Sequence, residues 1–361
     1  MRWGKGLGPV VALCAVAATL CACGGSAASP YFSRHVEIVP FKGIAFPDTS
    51  HAWLAGTVWS RDGLGMTGGA ILATTDGGTL WKQQESARTW TPYSVTFAND
   101  RCGWMLGSAI PNRPDYNTVL ATTDGGAAWE KQDTGTSGTA DELSDIACAG
   151  ATHAWAVGDG AGVGARRGLI LATTDGGATW RRGTVKGSLV SVTFADASHG
   201  WVVGSGGILG TTDGGRTWKQ EPSAARYDLT TVVCANANDA WAMGYDDKNQ
   251  RNVVLATNDG GTTWKVRYAT RAGYWYSMAF ADASHGWLVG SDGLILTTSD
   301  GGATWQRQLS RTKLDLTAVA FADATHGLVA GRRTKGDDPM SAQFIGSIIL
   351  RTTDGGATWT K

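Results

Sequence analysis

From about residue 41 onward, apolar and polar positions alternate with period two in short runs rich in Val, Ile, Phe and Trp, each bounded by Gly, Asn or Asp. Period two puts successive side chains on opposite faces, which is the pattern of a half-buried strand. No stretch carries the 3.6-residue spacing of an amphipathic helix. The pattern predicts an all-β chain of short antiparallel strands joined by tight turns.

The runs repeat. One string occurs seven times, as TTDGGTLW at 74–81, TTDGGAAW at 122–129, TTDGGATW at 173–180, TTDGGRTW at 211–218, TNDGGTTW at 257–264, TSDGGATW at 298–305 and TTDGGATW at 352–359. Its aspartates are Asp76, Asp124, Asp175, Asp213, Asp259, Asp300 and Asp354. A second string precedes each copy, clearest as VTFADASHGWVVG at 192–204 and MAFADASHGWLVG at 278–290. Each unit reads strand, tight turn, strand, variable loop, strand, Asp-Gly-Gly turn, short strand. A four-stranded meander of this size cannot bury both faces alone, but units packed radially can, so seven units predict a seven-bladed β-propeller. Thirteen of the 17 Trp occupy two fixed places in the unit, where large flat rings are expected to fill the space between blades. Closure has two routes: packing of blade one on blade seven, or addition of His35–Val39 as a strand on the edge of blade seven. The second is favoured.

Composition narrows the partners. Lys plus Arg balance Asp plus Glu at 31 each, which removes the electrostatic footprint of a nucleic-acid binder. Arg2 and Lys5 precede an apolar run from about Val10 to Leu20, too short to span a bilayer comfortably and shaped like the core of a signal peptide. The run ends in Leu20-Cys21-Ala22-Cys23 followed by a Gly/Ser stretch, which resembles a bacterial lipobox with Cys23 as the lipid-bearing residue. The expected organisation is a signal peptide over residues 1–22, a tether with the possible closing strand over 23–40, and the propeller over 41–361. The implied location is extracytoplasmic and membrane-anchored. Cys102, Cys148 and Cys234 are too few and too scattered for a disulfide framework, and Cys148 and Cys234 stand where other units carry Phe, as core filling.

The Asp-Gly-Gly string resembles the Asp-box, or BNR, repeat. With its phenylalanine strand and HGWxVG half, the longer unit most resembles the Ycf48/HCF136-like photosystem II assembly factors and their bacterial relatives, over roughly residues 41–361. The resemblance implies a propeller and an assembly-factor role, while a photosystem target does not carry over. The same box occurs in sialidases and xyloglucanases, so it defines fold more sharply than function.

Seven equivalent aspartates are expected to stabilise their own turns rather than form seven active sites, each carboxylate accepting backbone N–H bonds. The threonine hydroxyl is expected to bond across the hairpin. His51, His153, His199, His285 and His326 share one position in five units, with Cys102 and Asp239 in the other two, and read as turn-stabilising imidazoles too far apart to share a metal. No sialidase motif, HExxH, Ser-His-Asp signature or Walker lysine is present, so no catalytic, metal or cofactor site is expected.

Length varies mainly in the loops between second and third strands, which share one end of a propeller with the blade-to-blade connections. Variable loops on a rigid scaffold are where binding resides. That end collects Arg61, Arg113, Arg166, Arg167, Arg251, Arg332, Arg333 and Lys335, with Trp90, Tyr93, Tyr227, Tyr268, Tyr274, Trp275 and Tyr276. Arg with Tyr and Trp is the mixture enriched at protein interfaces. The candidate partner-binding residues are Arg166, Arg167, Arg332, Arg333, Tyr274, Trp275 and Tyr276. The leading expectation is a non-enzymatic, lipid-anchored scaffold for an envelope or membrane protein. The alternative is a carbohydrate-binding or glycosidase-like surface protein, with Tyr274-Trp275-Tyr276 stacking on a glycan.

Overall fold

The computed structural model describes residues 37–59, 66–84, 90–109, 118–136, 139, 141–161, 167–335 and 343–361. Seven antiparallel sheets follow one another along the chain. Their inner strands are Glu37–Ala45, Trp90–Phe97, Glu142–Ala149, Leu189–Phe194, Asp228–Cys234, Trp275–Phe280 and Asp315–Phe321. Each inner strand packs on the next, and that of blade seven packs on that of blade one, so the ring closes around a central channel. Six sheets have four strands, and the third strand of the seventh makes one further antiparallel bridge, Arg351 to Thr360, near the C-terminus.

Closure differs from the favoured expectation. Glu37, Ile38 and Val39 pair with Trp59, Val58 and Thr57, so they begin the inner strand of blade one instead of edging blade seven. Among the described residues, the seam between blades seven and one is made by packing together with side-chain bonds. Thr317 Oγ1 donates to the Phe41 carbonyl at 3.0 Å, and Arg351 Nη1 donates to Thr79 Oγ1 at 2.8 Å.

Between blades, the second-strand tryptophans do the work expected of them. Trp53 lies flat on Phe97 of the next blade, 3.5 Å between ring centroids, and Trp155 on Phe194, Trp241 on Phe280 and Trp287 on Phe321 do the same. Each of these four indoles also donates to the carbonyl of the first glycine in the next blade's Asp turn, at 2.9–3.0 Å. The phenylalanine ring lies over a glycine of its own blade: Gly103, Gly200, Gly286 and Gly327 each stand where a Cβ would strike it. Where the phenylalanine is replaced by Cys148 or Cys234, the glycine is replaced by Ala154 or Ala240. The indole facing Cys148, Trp104, then has no hydrogen-bond partner for its Nε1. Both thiols are free, and burial pushes each up to about 11, so they act as small core groups.

Candidate functional site

Every inner strand carries a bulge at the same place. The ladder to the second strand slips at Lys42, Tyr93, Ser144, Val190, Thr230, Tyr276 and Thr317, and all seven residues line the channel. A bulge re-aims one side chain while the ladder continues on either side. Opposite it stands the last glycine of each HGWxVG string, Gly56, Gly107, Gly158, Gly204, Gly244, Gly290 or Gly331. A Cβ on Gly158, Gly204, Gly244 or Gly290 would fall on the carbonyl oxygen of Glu142, Ser188, Asp228 or Tyr274. This glycine, read from sequence as a strand boundary, is the mate of the bulge. The channel has a volume of about 500 Å³.

The residue after the bulge ties neighbouring blades together. Here Ser94, Asp145, Ser191 and Ser277 occur in the second, third, fourth and sixth blades. Asp145 accepts from Ser94 Oγ at 2.8 Å, from Ser191 Oγ and the Val192 N–H at 3.0 Å, and from its neighbour Ile146 N–H at 2.9 Å. It therefore brackets three blades. Burial pushes its carboxyl up despite these four bonds. Tyr93 beside it donates to the Leu143 carbonyl at 2.8 Å, and burial followed by the Asp145 charge holds its phenol well above the usual range. Sequence reasoning passed over Asp145, although aligning the units at this position shows one carboxylate among small residues.

The aromatic candidates separate. Tyr274 is 75% exposed, and its backbone is held by Ser291, which receives its N–H on Oγ at 3.2 Å and donates to its carbonyl at 2.9 Å. Tyr276 is the bulge residue of blade six, with the Arg332 guanidinium 5.7 Å from its ring centroid. Arg332 is in turn held by Asp315, Nη2 to Oδ2 at 3.1 Å. Burial and then the Asp315 charge raise the Tyr276 phenol, so it stays a neutral donor. Trp275 turns inward: its ring stacks on Tyr268 at 5.8 Å, and its buried Nε1 has no hydrogen-bond partner. The expected Tyr-Trp-Tyr surface is thus two tyrosines with a half-buried, inward-stacked tryptophan between them. Tyr227 is buried. Leu309, on the next blade-to-blade connection, is 73% exposed.

The arginines do not form one described patch. Arg167 is exposed at the start of its strand. Arg332 is paired with Asp315, and Arg251 with Asp246 at 3.3 Å. Arg61, Arg113 and Arg166 lie outside the described residues, as does Cys23, and the side chains of Arg333 and Lys335 are not described.

At the opposite end stand the Asp turns. In all seven, the first threonine's Oγ1 donates to the aspartate Oδ1 at 2.7–2.9 Å. The same oxygen accepts the N–H of the second glycine at 2.8–3.0 Å. The threonine bond is therefore inside the turn and not across the hairpin. Hydrogen bonds led by the Thr179, Thr217 and Thr263 hydroxyls, and for Asp300 by the Thr304 N–H, lower Asp175, Asp213, Asp259 and Asp300 to about 2. Four of the turn histidines place Nδ1 2.8–3.0 Å from an aspartate three residues earlier, as a turn brace. Among the described residues no group of three or more His, Cys, Asp or Glu could hold a metal. No helix among them is long and apolar enough to cross a membrane.

Fold and turns together define an Asp-box β-propeller with seven blades. More narrowly, the propeller resembles the Ycf48-like family: the family model described as photosynthesis system II assembly factor YCF48 matches residues 183–271 and 266–361. Among solved structures, one of YCF48 bound to a D1 peptide superposes with a TM-score of 0.60 at 19% identity, covering 90% of this chain and 99% of that one. YCF48 from Cyanidioschyzon merolae gives a TM-score of 0.58 at 21% identity, covering 82% and 96%. A puromycin-hydrolysing peptidase of Mycobacterium tuberculosis gives 0.58 at 10% identity, covering 90% of this chain and 56% of that one, a likeness of fold. A search of curated protein sequences gives no match.

Proposed function

We propose that the protein is a non-enzymatic scaffold that docks onto a membrane protein during assembly of a complex, through the end of the propeller bearing Tyr274 and Tyr276. The observation that carries this reading is the Ycf48-like repeat itself, together with the fact that a YCF48 structure contains a bound D1 peptide. The geometry supports it. Tyr274 is exposed on a backbone clamped by Ser291, and Tyr276 is braced by Arg332. Rigid aromatic anchors lose little conformational freedom on binding, which is why they dominate interfaces.

The signal-like run and the Leu20-Cys21-Ala22-Cys23 string support an extracytoplasmic protein anchored by lipid on Cys23. Such an anchor would hold the scaffold beside its membrane partner. The inward stack of the half-buried Trp275 on Tyr268 argues against a three-ring sugar platform. The alternative of a carbohydrate-binding or hydrolytic surface protein gains nothing from Asp145, whose carboxylate is occupied by four hydrogen bonds.

The test is co-purification from native membranes after mild cross-linking, with wild type, Tyr274→Ala and Cys23→Ala compared. One membrane protein should be enriched with wild type and reduced about tenfold by Tyr274→Ala, the loss of a hot-spot aromatic. Cys23→Ala should release the chain into the soluble fraction. Recovery of no protein, or equal recovery with Tyr274→Ala, would refute docking at this end.

A further inference from the structure

A second site is laid out at the Asp-turn end, in a cleft of about 400 Å³ between blades three and four. Its lining includes His153, Arg181 and Arg216, with Thr174 and Ser198 supplying hydroxyls. Two departures from the repeat create it. Where other units carry the aspartate or asparagine that braces the first turn, blade three has Gly150, so His153 alone among the turn histidines has no carboxylate three residues earlier. Its Nδ1 is instead 2.9 Å from Thr152 Oγ1. If that hydroxyl donates, the proton sits on Nε2, which becomes a donor. The second departure is Arg216, in a turn position that is Ala or Thr in the six other units.

Arg181 is fixed by a 2.9 Å bond from Nη2 to the Gly215 carbonyl, which leaves the rest of its guanidinium fork for another acceptor. Asp213 also lines the cleft, but its carboxylate is consumed by the N–H groups of Arg216 and Thr217 and the hydroxyls of Thr211 and Thr217. Cations therefore outnumber carboxylates around a space lined with donors.

The geometry points to an oxyanion site in this cleft that takes a phosphoryl or sulfate group carried on a sugar-sized polyol. Two guanidiniums, an imidazole and two hydroxyls offer more donors than one carboxylate can accept, and guanidinium forks match the edges of a tetrahedral oxyanion. The cleft exceeds the volume of the ion alone, which leaves room for the polyol. Docking at the loop end and anion capture here are independent, since no residue is shared.

Calorimetric titration of the full chain with glucose 6-phosphate, inorganic phosphate, glucose and acetate tests the site. Glucose 6-phosphate should bind most tightly, inorganic phosphate more weakly, and glucose and acetate not at all over the same range. Arg216→Ala, which restores the residue of blades two, three, six and seven, should weaken glucose 6-phosphate binding at least tenfold. Arg267→Ala, an exposed arginine outside the cleft, should leave it unchanged. Absence of binding by either phosphate, acetate binding as tight as phosphate, or equal loss in both variants would overturn the assignment.

Discussion

The two ends of the propeller are built from the same seven units, yet they differ in what their polar and aromatic groups are doing. At the Asp-turn end, repetition is nearly complete, and the turn aspartate, the first threonine's hydroxyl and the second glycine's N–H find their partners within a few residues. At the loop end the units diverge, and large side chains such as Tyr274 and Leu309 remain exposed with no repeat counterpart. Uniformity marks what every blade needs in order to fold, and divergence on a shared frame marks what is free to be selected for a partner.

Removing an inter-blade stack should break the uniform half most severely. Trp155→Ala loses a fully buried indole, its stack on Phe194 and its bond to Gly214, and should cost about 4 kcal/mol in chemical denaturation. Trp104→Ala, at a seam with a cysteine in place of the phenylalanine and no indole hydrogen bond, should cost about 1 kcal/mol less. Equal losses would show that stack and bond add nothing beyond burial. Next comes the turn itself: Thr211→Val removes the hydroxyl that serves both Asp213 and the Gly215 N–H, and should cost about 1–2 kcal/mol.

Acid provides a graded version of the same test. The depressed Asp-turn carboxyls contribute stability that is present above their unfolded pKa and is lost as pH falls through the folded value of about 2. Stability should therefore decline on going from about pH 4 towards pH 2. Carboxyl NMR titration should show Asp175, Asp213, Asp259 and Asp300 protonating well below the ordinary carboxylate range. Smallest in stability is Tyr274→Ala, expected within about 0.5 kcal/mol of wild type because the ring is exposed. Its effect should fall on docking alone.

The blades were legible in the sequence because each repeats a period-two pattern and an Asp turn. The bulges were not, since the residues they expel, from Lys42 to Thr317, share no chemistry. Only the small mate opposite is constant, and a glycine ending a strand looks the same as a glycine beginning a turn. His35–Val39 misled because an extended apolar segment fits either edge of a ring. At the candidate site, exposure of Tyr274 followed from its place in a connection. The inward stack of its neighbour Trp275 on Tyr268 was not legible, because it depends on how one blade's outer strand leads to the next blade's inner one. Arg332 was read as a partner-binding candidate, and its pairing with Asp315 directly across the ladder is visible only once the register is known.

The most direct test of the two-ended account is site-specific photo-cross-linking in native membranes. A photoreactive amino acid replaces Tyr274 at the loop end in one chain and Ala178, exposed in an Asp turn, in another. The account predicts one discrete membrane-protein adduct from position 274 and none of that mass from position 178. The same adduct from both positions, or from 178 alone, would contradict it.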